Sequence, residues 1–307
     1  MLFREHHSYF LCSNQQEENE MSDVTVIGLG QMGTRLVELL RNSGRSVTVW
    51  NRNSAKAAAI ASDAVSVAPN PAAAIAASPV TLIILSDDEA VRSVFDHSDI
   101  GEALAQKIII NLGTTGPDQA RAFYDRVADR GGNYLDGAIQ AAPSQMGEPS
   151  TPIILSGSTE AFERAETLLR ILAGNLIYLG HSKDASAFMD LATLSYVYGA
   201  YAGFLHGVRI SEVTGIDPGL FGKLVESISP SFGAFFAHQS GVIKSGDFAI
   251  SESPMRISIA AVDRIAKTSA ALGINGEVPE LVNGWLVEAE RQGFADEELA
   301  AIIKVLR

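Results

Sequence analysis

From Val24 onward the chain alternates between two hydrophobic patterns. Val24 to Gly28, Val47 to Trp50, Val80 to Leu85, Lys107 to Leu112 and Tyr134 to Ile139 are short, largely apolar runs, the signature of strands buried on both faces. Between them the apolar positions take helical spacing. Gln31 to Asn42 carries Leu36, Val37, Leu39 and Leu40 on one side, and Ala55 to Ala61, Asp88 to Asp96 and Pro117 to Asp129 follow. Strand and helix in alternation predict a parallel sheet with helices on both faces, since a parallel neighbour is reached through a crossover. Ile153 to Ser156 and Leu176 to Leu179 add two strands. They are joined by a helix over Glu160 to Leu172, whose start at Ser158 and Thr159 carries an N-terminal signal.

After Gly180 the strand pattern stops. Ala185 to Ser211 reads as one helix of roughly 40 Å at 1.5 Å per residue, and the remainder divides into helices at Gly215, Pro218, Pro230, Pro254, Gly273 and Gly293. A helix that is apolar nearly all round must be covered on every side. The residues that follow are too few to do so, which predicts a homodimer with interlocked helical domains. The expected order is a disordered extension over 1–20 ahead of a natural start at Met21, an α/β domain over 21–182, a long interdomain helix over 183–212, and an all-helical dimerisation and substrate domain over 213–307.

Composition narrows the class. The 307 residues include 23 Lys plus Arg against 36 Asp plus Glu, a formal charge of −13, with 47% hydrophobic residues. Such a chain is globular, and its acidity argues against nucleic acid as a partner. Cys12 is the only cysteine, which excludes a disulfide framework and, with no CxxC or HExxH spacing, predicts no metal and a reducing cytoplasm. Leu191 to Val208 is 18 residues long without a formal charge, but three Tyr, three Gly and His206 mark it as a buried helix and not a membrane span.

GLGQMG sits directly after the first strand and opens the first helix. Gly28 lets the chain turn, Gly30 lets the backbone approach a pyrophosphate, and Gly33 lets helix and strand pack, while the helix N-terminus faces the phosphates. This is a Rossmann dinucleotide site, and the whole turn, including Leu29, Gln31 and Met32, is assigned to the cofactor. An NAD site would place an acid at the end of the second strand. Here the residues are Asn51, Arg52, Asn53, Ser54, Ala55 and Lys56. With no carboxylate present, and with Arg52 able to stack on adenine and pair with a 2′-phosphate, the expected cofactor is NADPH.

GLGQMG, the WNR after the second strand, NLGTTGP from Asn111 to Pro117 and LDGAIQAAP from Leu135 to Pro143 together resemble the β-hydroxyacid dehydrogenase superfamily, whose sheet domain is 6-phosphogluconate dehydrogenase-like. More closely they resemble its imine reductase branch, which includes reductive aminases. The resemblance spans Ser22 to Arg307, including SAFMDLATLSYVYGAYAGFLHG and GWLVEAERQGFADEELAAIIKVL. It implies reduction of cyclic imines or iminium ions by hydride transfer, or reductive amination of a ketone with an amine. Asn111 joins the cofactor residues on this ground.

One departure from the parent superfamily is informative. Where the hydroxyacid dehydrogenases carry a catalytic Lys and, four residues later, an Asn, this chain has Asp190 and Leu194. An iminium is repelled by an ammonium and attracted by a carboxylate, by about 4 kcal/mol at 4 Å and an effective dielectric of 20. Asp190 taken alone is also compatible with a solvated helix residue or the partner of a buried cation. Tyr198, about 12 Å further along the helix, matches the branch's second functional tyrosine, with core packing as the competing role. Thr114 matches its polar residue beside the nicotinamide, with turn formation as the alternative. Gln140 stands where many relatives have an apolar residue, which bears on substrate preference. Trp285, Phe232, Phe235, Phe236 and Met255 are candidates for an apolar pocket, each also suited to the core. Lys183 is read as a surface residue. The competing functions are a β-hydroxyacid or semialdehyde dehydrogenase and a non-catalytic NADPH-binding sensor. Relatives with Asp at this helix position lean towards R products.

Overall fold

The sheet domain is built as β1 (Val24–Ile27), α1 (Gln31–Asn42), β2 (Val47–Trp50), α2 (Ser54–Ala58), β3 (Val65–Val67), α3 (Pro71–Ala76), β4 (Val80–Ile83), α4 (Asp88–Phe95), α5 (Ile100–Ala103), β5 (Ile108–Asn111), α6 (Pro117–Ala128), β6 (Asn133–Ile139), β7 (Pro152–Gly157), α7 (Thr159–Leu172) and β8 (Asn175–Tyr178). The computed structural model describes residues 21–307; the extension expected over 1–20 lies outside the described residues. Three short elements were not expected, β3, α3 and α5. In β3 only Val65 is buried, too little for a pattern to register. The start of α3 is marked by Asn70, whose side chain accepts from Ala73 N, and by Pro71.

The eight strands lie in the order β3-β2-β1-β4-β5-β6-β7-β8. Neighbours from β3 across to β6 are parallel, β7 is antiparallel to β6, and β8 is parallel to β7. The expected parallel sheet therefore ends at β6. The reason is the connection over residues 140–151, which holds one 3-10 turn, Pro143–Gln145, and no crossover helix, so the chain returns in the opposite direction. Alternate residues of the central strands feed two apolar layers. Ile108 and Ile110 pack with Leu36, Leu40 and Leu168 on one face; Ile109 packs with Phe95 and Phe123 on the other. Each fully buried side chain of this kind contributes about 1.5–3 kcal/mol.

The rest of the chain is helical: α8 (Ala185–Val213), α9 (Pro218–Ser245), α10 (Met255–Ala271), α11 (Glu277–Arg291) and a closing 3-10 turn at Leu299–Lys304. Two compact units result, residues through Thr193 and Leu194–Arg307, with the division inside α8. The break expected at Pro230 does not occur, because α9 continues through it. Proline removes one helical hydrogen bond, but the arms on either side are both pinned to α8. Phe221 stacks on Phe204 at 5.7 Å and Phe236 meets Tyr196 edge-on at 5.7 Å. Met255, Leu286, Ala289 and Ala301 form the core of this unit. Beside them the buried Glu298 carboxylate accepts from the backbone N–H groups of Ser251, Glu252 and Ser253 and from Gln239 Nε2. Burial pushes that carboxyl up, but these donors outweigh it and hold it at about 2.

Candidate active site

The strand order reverses between β1 and β4, so the carboxyl ends of these two strands open a crevice, the place where open α/β sheets bind ligands. The glycine turn lies in it. Gly28 has φ +101°, and a Cβ there would lie 2.1 Å from Ile84 O; a Cβ on Gly33 would lie 1.9 Å from Gly28 O. Gly30 faces open space. Among the described helices of the sheet domain, α1 alone starts with no side-chain cap and no acid in its first turn. Its first N–H groups and the positive end of its dipole are left for an anion.

At the end of β2, Asn51 and Asn53 are spent on the turn itself. Asn51 Oδ1 accepts from Leu29 N and its Nδ2 donates to Asn53 O, while Asn53 Oδ1 accepts from Ala55 N to cap α2. Arg52, Ser54 and Lys56 are exposed. Lys56 lines a cavity of about 620 Å³ with Gly30, Gln31, Arg35 and Ser144.

A second cavity, of about 340 Å³, also begins at Gly30 and Gln31 and runs the other way, past Met32, Gly33, Ile84 to Ser86, Leu112 to Thr114 and Ile139, to Asp190. Every wall except the last comes from the carboxyl end of a parallel strand or from the loop or first helical turn that follows it. Asp190 arrives by a different route. Because β7 and β8 run backwards, the chain leaves β8 at the far edge of the sheet, and α8 then climbs alongside β6. Ser186 marks the path: its Oγ donates to Asp136 Oδ2 at 2.7 Å and lies 2.8 Å from Ser156 Oγ, and Asp136 and Ser156 are register partners. One turn later Asp190, 7% exposed, reaches the rim, where its Oδ1 accepts from Gln140 Nε2 at 2.7 Å. No Lys or Arg among the described residues pairs with it.

The remaining sequence candidates separate. Thr114 is exposed and lines the cavity. Asn111 is fully buried; its Nδ2 donates to Thr115 Oγ1 and its Oδ1 accepts from Gly113 N, so it shapes the loop that carries Thr114. Tyr198 is 69% exposed on α8 and makes no hydrogen bond among the described residues. Lys183 forms an exposed ion pair with Asp125 of α6. Met255 belongs to the helical core, whereas Phe232 and Phe236 line an apolar cavity with Tyr196. Among the described residues no cluster of metal-ligating side chains occurs and no helix is long and apolar enough to cross a membrane.

Residues 23–180 match the family description of the NAD binding domain of 6-phosphogluconate dehydrogenase, and residues 183–307 that of the NADPH-dependent reductive aminase-like C-terminal domain. A reductive aminase from Aspergillus terreus, solved in complex with NADPH and ethyl levulinate, matches with a TM-score of 0.84 and 30% identity over 94% of this chain and 100% of that one. The chain belongs to the imine reductase and reductive aminase branch of the β-hydroxyacid dehydrogenase superfamily. An NADPH-dependent reductive aminase from Aspergillus oryzae is 29% identical over 92% of this chain and 97% of its own length. An imine reductase from a Pseudomonas species matches with a TM-score of 0.85 and 25% identity over 94% and 100%. As a member of this imine reductase branch the chain is an NAD(P)-dependent oxidoreductase.

Three features of this site escaped sequence reasoning: the loop after β4, the Asp136–Ser186–Ser156 chain, and the bond from Gln140 to Asp190. The first has a signal, since the end of β4 is half of the switch point. The second has none, because it depends on α8 running beside β6. The third was marked only as a polar residue in an apolar place.

Proposed function

We propose that the protein is an NADPH-dependent imine reductase that converts cyclic imines and iminium ions to amines, with reductive amination of a ketone by an amine as a wider form of the same chemistry. The observation that carries this reading is the buried Asp190 carboxylate at the end of the cavity, with no basic side chain among the described residues to neutralise it. A cationic C=N group supplies the missing charge; a 2- or 3-hydroxy acid would set its own carboxylate against Asp190. Bound NADPH supplies the hydride. The uncapped start of α1 and the open face of Gly30 receive the pyrophosphate, and Arg52, Ser54 and Lys56 meet the 2′-phosphate. Thr114 offers a hydroxyl to the substrate nitrogen, and Tyr198 or a water handles the proton with Asp190. A second copy of the chain covers α8 and brings its helical domain to the site.

The reading is tested by following NADPH oxidation with 1-pyrroline beside succinic semialdehyde. Turnover of the imine alone is expected, and Asp190→Ala should lower kcat about 100-fold or more while NADPH affinity stays within about twofold. Preference for the semialdehyde would return the chain to the parent chemistry; cofactor binding without turnover on any cyclic imine would make it a sensor.

A further inference from the structure

Among the described residues two side-chain hydrogen bonds tie α8 to β6 and the residue that follows it, Asp136–Ser186 within the strand and Gln140–Asp190 just past its end. The two ties lie four residues apart along each segment. Four residues of extended chain rise about 13 Å and four of helix about 6 Å, so with 136 and 186 joined, positions 140 and 190 are offset along the chain direction by several ångströms. A glutamine spans that gap. A shorter amide would fall short, and an apolar residue of equal length would leave Asp190 Oδ1 with no donor among the described residues.

The chemistry of the tie is equally specific. Among the described residues Asp190 is the only titratable side chain lining the cavity, and Asp136, further back on β6, is the nearby acid that its charge acts on. An amide donor holds a carboxylate in place without cancelling its charge, whereas Lys or Arg at 140 would satisfy it and remove its attraction for a cation. With Oδ1 occupied, Oδ2 is the oxygen left for a ligand.

We infer that Gln140 is the positioning residue for Asp190: its amide fixes the carboxylate in one orientation, with one oxygen held and the other presented to a cationic substrate nitrogen. This rests on the imine-reducing reading, and turnover of 1-pyrroline by the unaltered protein checks that reading separately. Gln140→Leu removes the donor and keeps an uncharged side chain. Its kcat should fall roughly 10- to 100-fold, the scale of an ångström of misplacement, and calorimetric affinity of the NADP⁺-loaded protein for pyrrolidinium about tenfold, with NADPH affinity unchanged. Gln140→Glu places two carboxylates at hydrogen-bond distance, which cannot both ionise. While they share a proton the glutamic acid donates as the amide does, so this variant should regain activity as pH falls and lose it as pH rises, relative to the parent. A merely structural residue would show no such crossing. If both variants keep parental kcat and pH profile and Gln140→Leu keeps parental pyrrolidinium affinity, Gln140 does not position Asp190.

Discussion

Asp136 shows at the scale of one residue how the sheet stores a charge it does not use. It lies 2% exposed in β6 between Asn111 and Ser156, its register partners on either side, and its Oδ1 has no partner among the described residues. Burial pushes its carboxyl up to about 7; the Ser186 hydroxyl pulls it down and the charge on Asp190 adds to the rise. The unfolded chain releases this proton near 3.8, whereas the folded chain keeps it to about 7. Between these values the native state holds more protons, so stability present at pH 4 is lost as pH rises through 7. The loss is on the order of 4 kcal/mol at 1.36 kcal/mol per unit. Asp136→Asn should match the parent near pH 4 and exceed its stability at pH 8, as measured by urea unfolding at both values. An equal difference at the two values would remove Asp136 as the source. The position was visible in the sequence only as part of LDGAIQAAP; its role depends on three strands and a helix meeting, and no local pattern encodes that.

Among elements, α1 and its glycine turn were the most legible, because each glycine answers a local demand. The demands differ and can be separated. Gly33→Ala drives a Cβ into the Gly28 carbonyl, so the melting temperature should fall by about 5 °C or more. Gly30→Ala meets nothing within 4 Å, so melting should stay within about 1 °C while NADPH affinity drops, because the added methyl occupies the pyrophosphate's approach. Calorimetry and a thermal scan on both variants check the pair, and a Gly30→Ala protein with parental affinity would move the phosphate elsewhere. The central strands were equally legible from their apolar runs. The reversal at β7 was missed, because apolar runs carry no sense of direction and only the connection without a helix marks it. The continuity of α9 was not readable, because Pro230 is a local signal against it and the aromatic contacts with α8 are tertiary.

In the molecule as a whole, α8 stands out as an apolar helix with little cover from the described residues. Phe188, Leu191, Tyr196, Val197, Tyr201 and Leu205 are each between 46% and 56% exposed. Surface of this extent is expected in a subunit interface. Light scattering should give twice the chain mass of 32.6 kDa, and melting temperature should rise with protein concentration; a monomer at micromolar concentration would contradict the arrangement. The antiparallel return of β7 has a consequence for how such a scaffold diversifies. Residues 140–151 leave and re-enter the sheet at the same rim, and Ser144 faces Lys56 and Gln31 across the cavity there. The exposed tip of that connection, at Ser144 and Gln145, can vary while Gln140 at its start keeps its tie to Asp190 and Met146 stays in the core, which gives evolution or an engineer a hand-hold on the Lys56 side of the crevice alone.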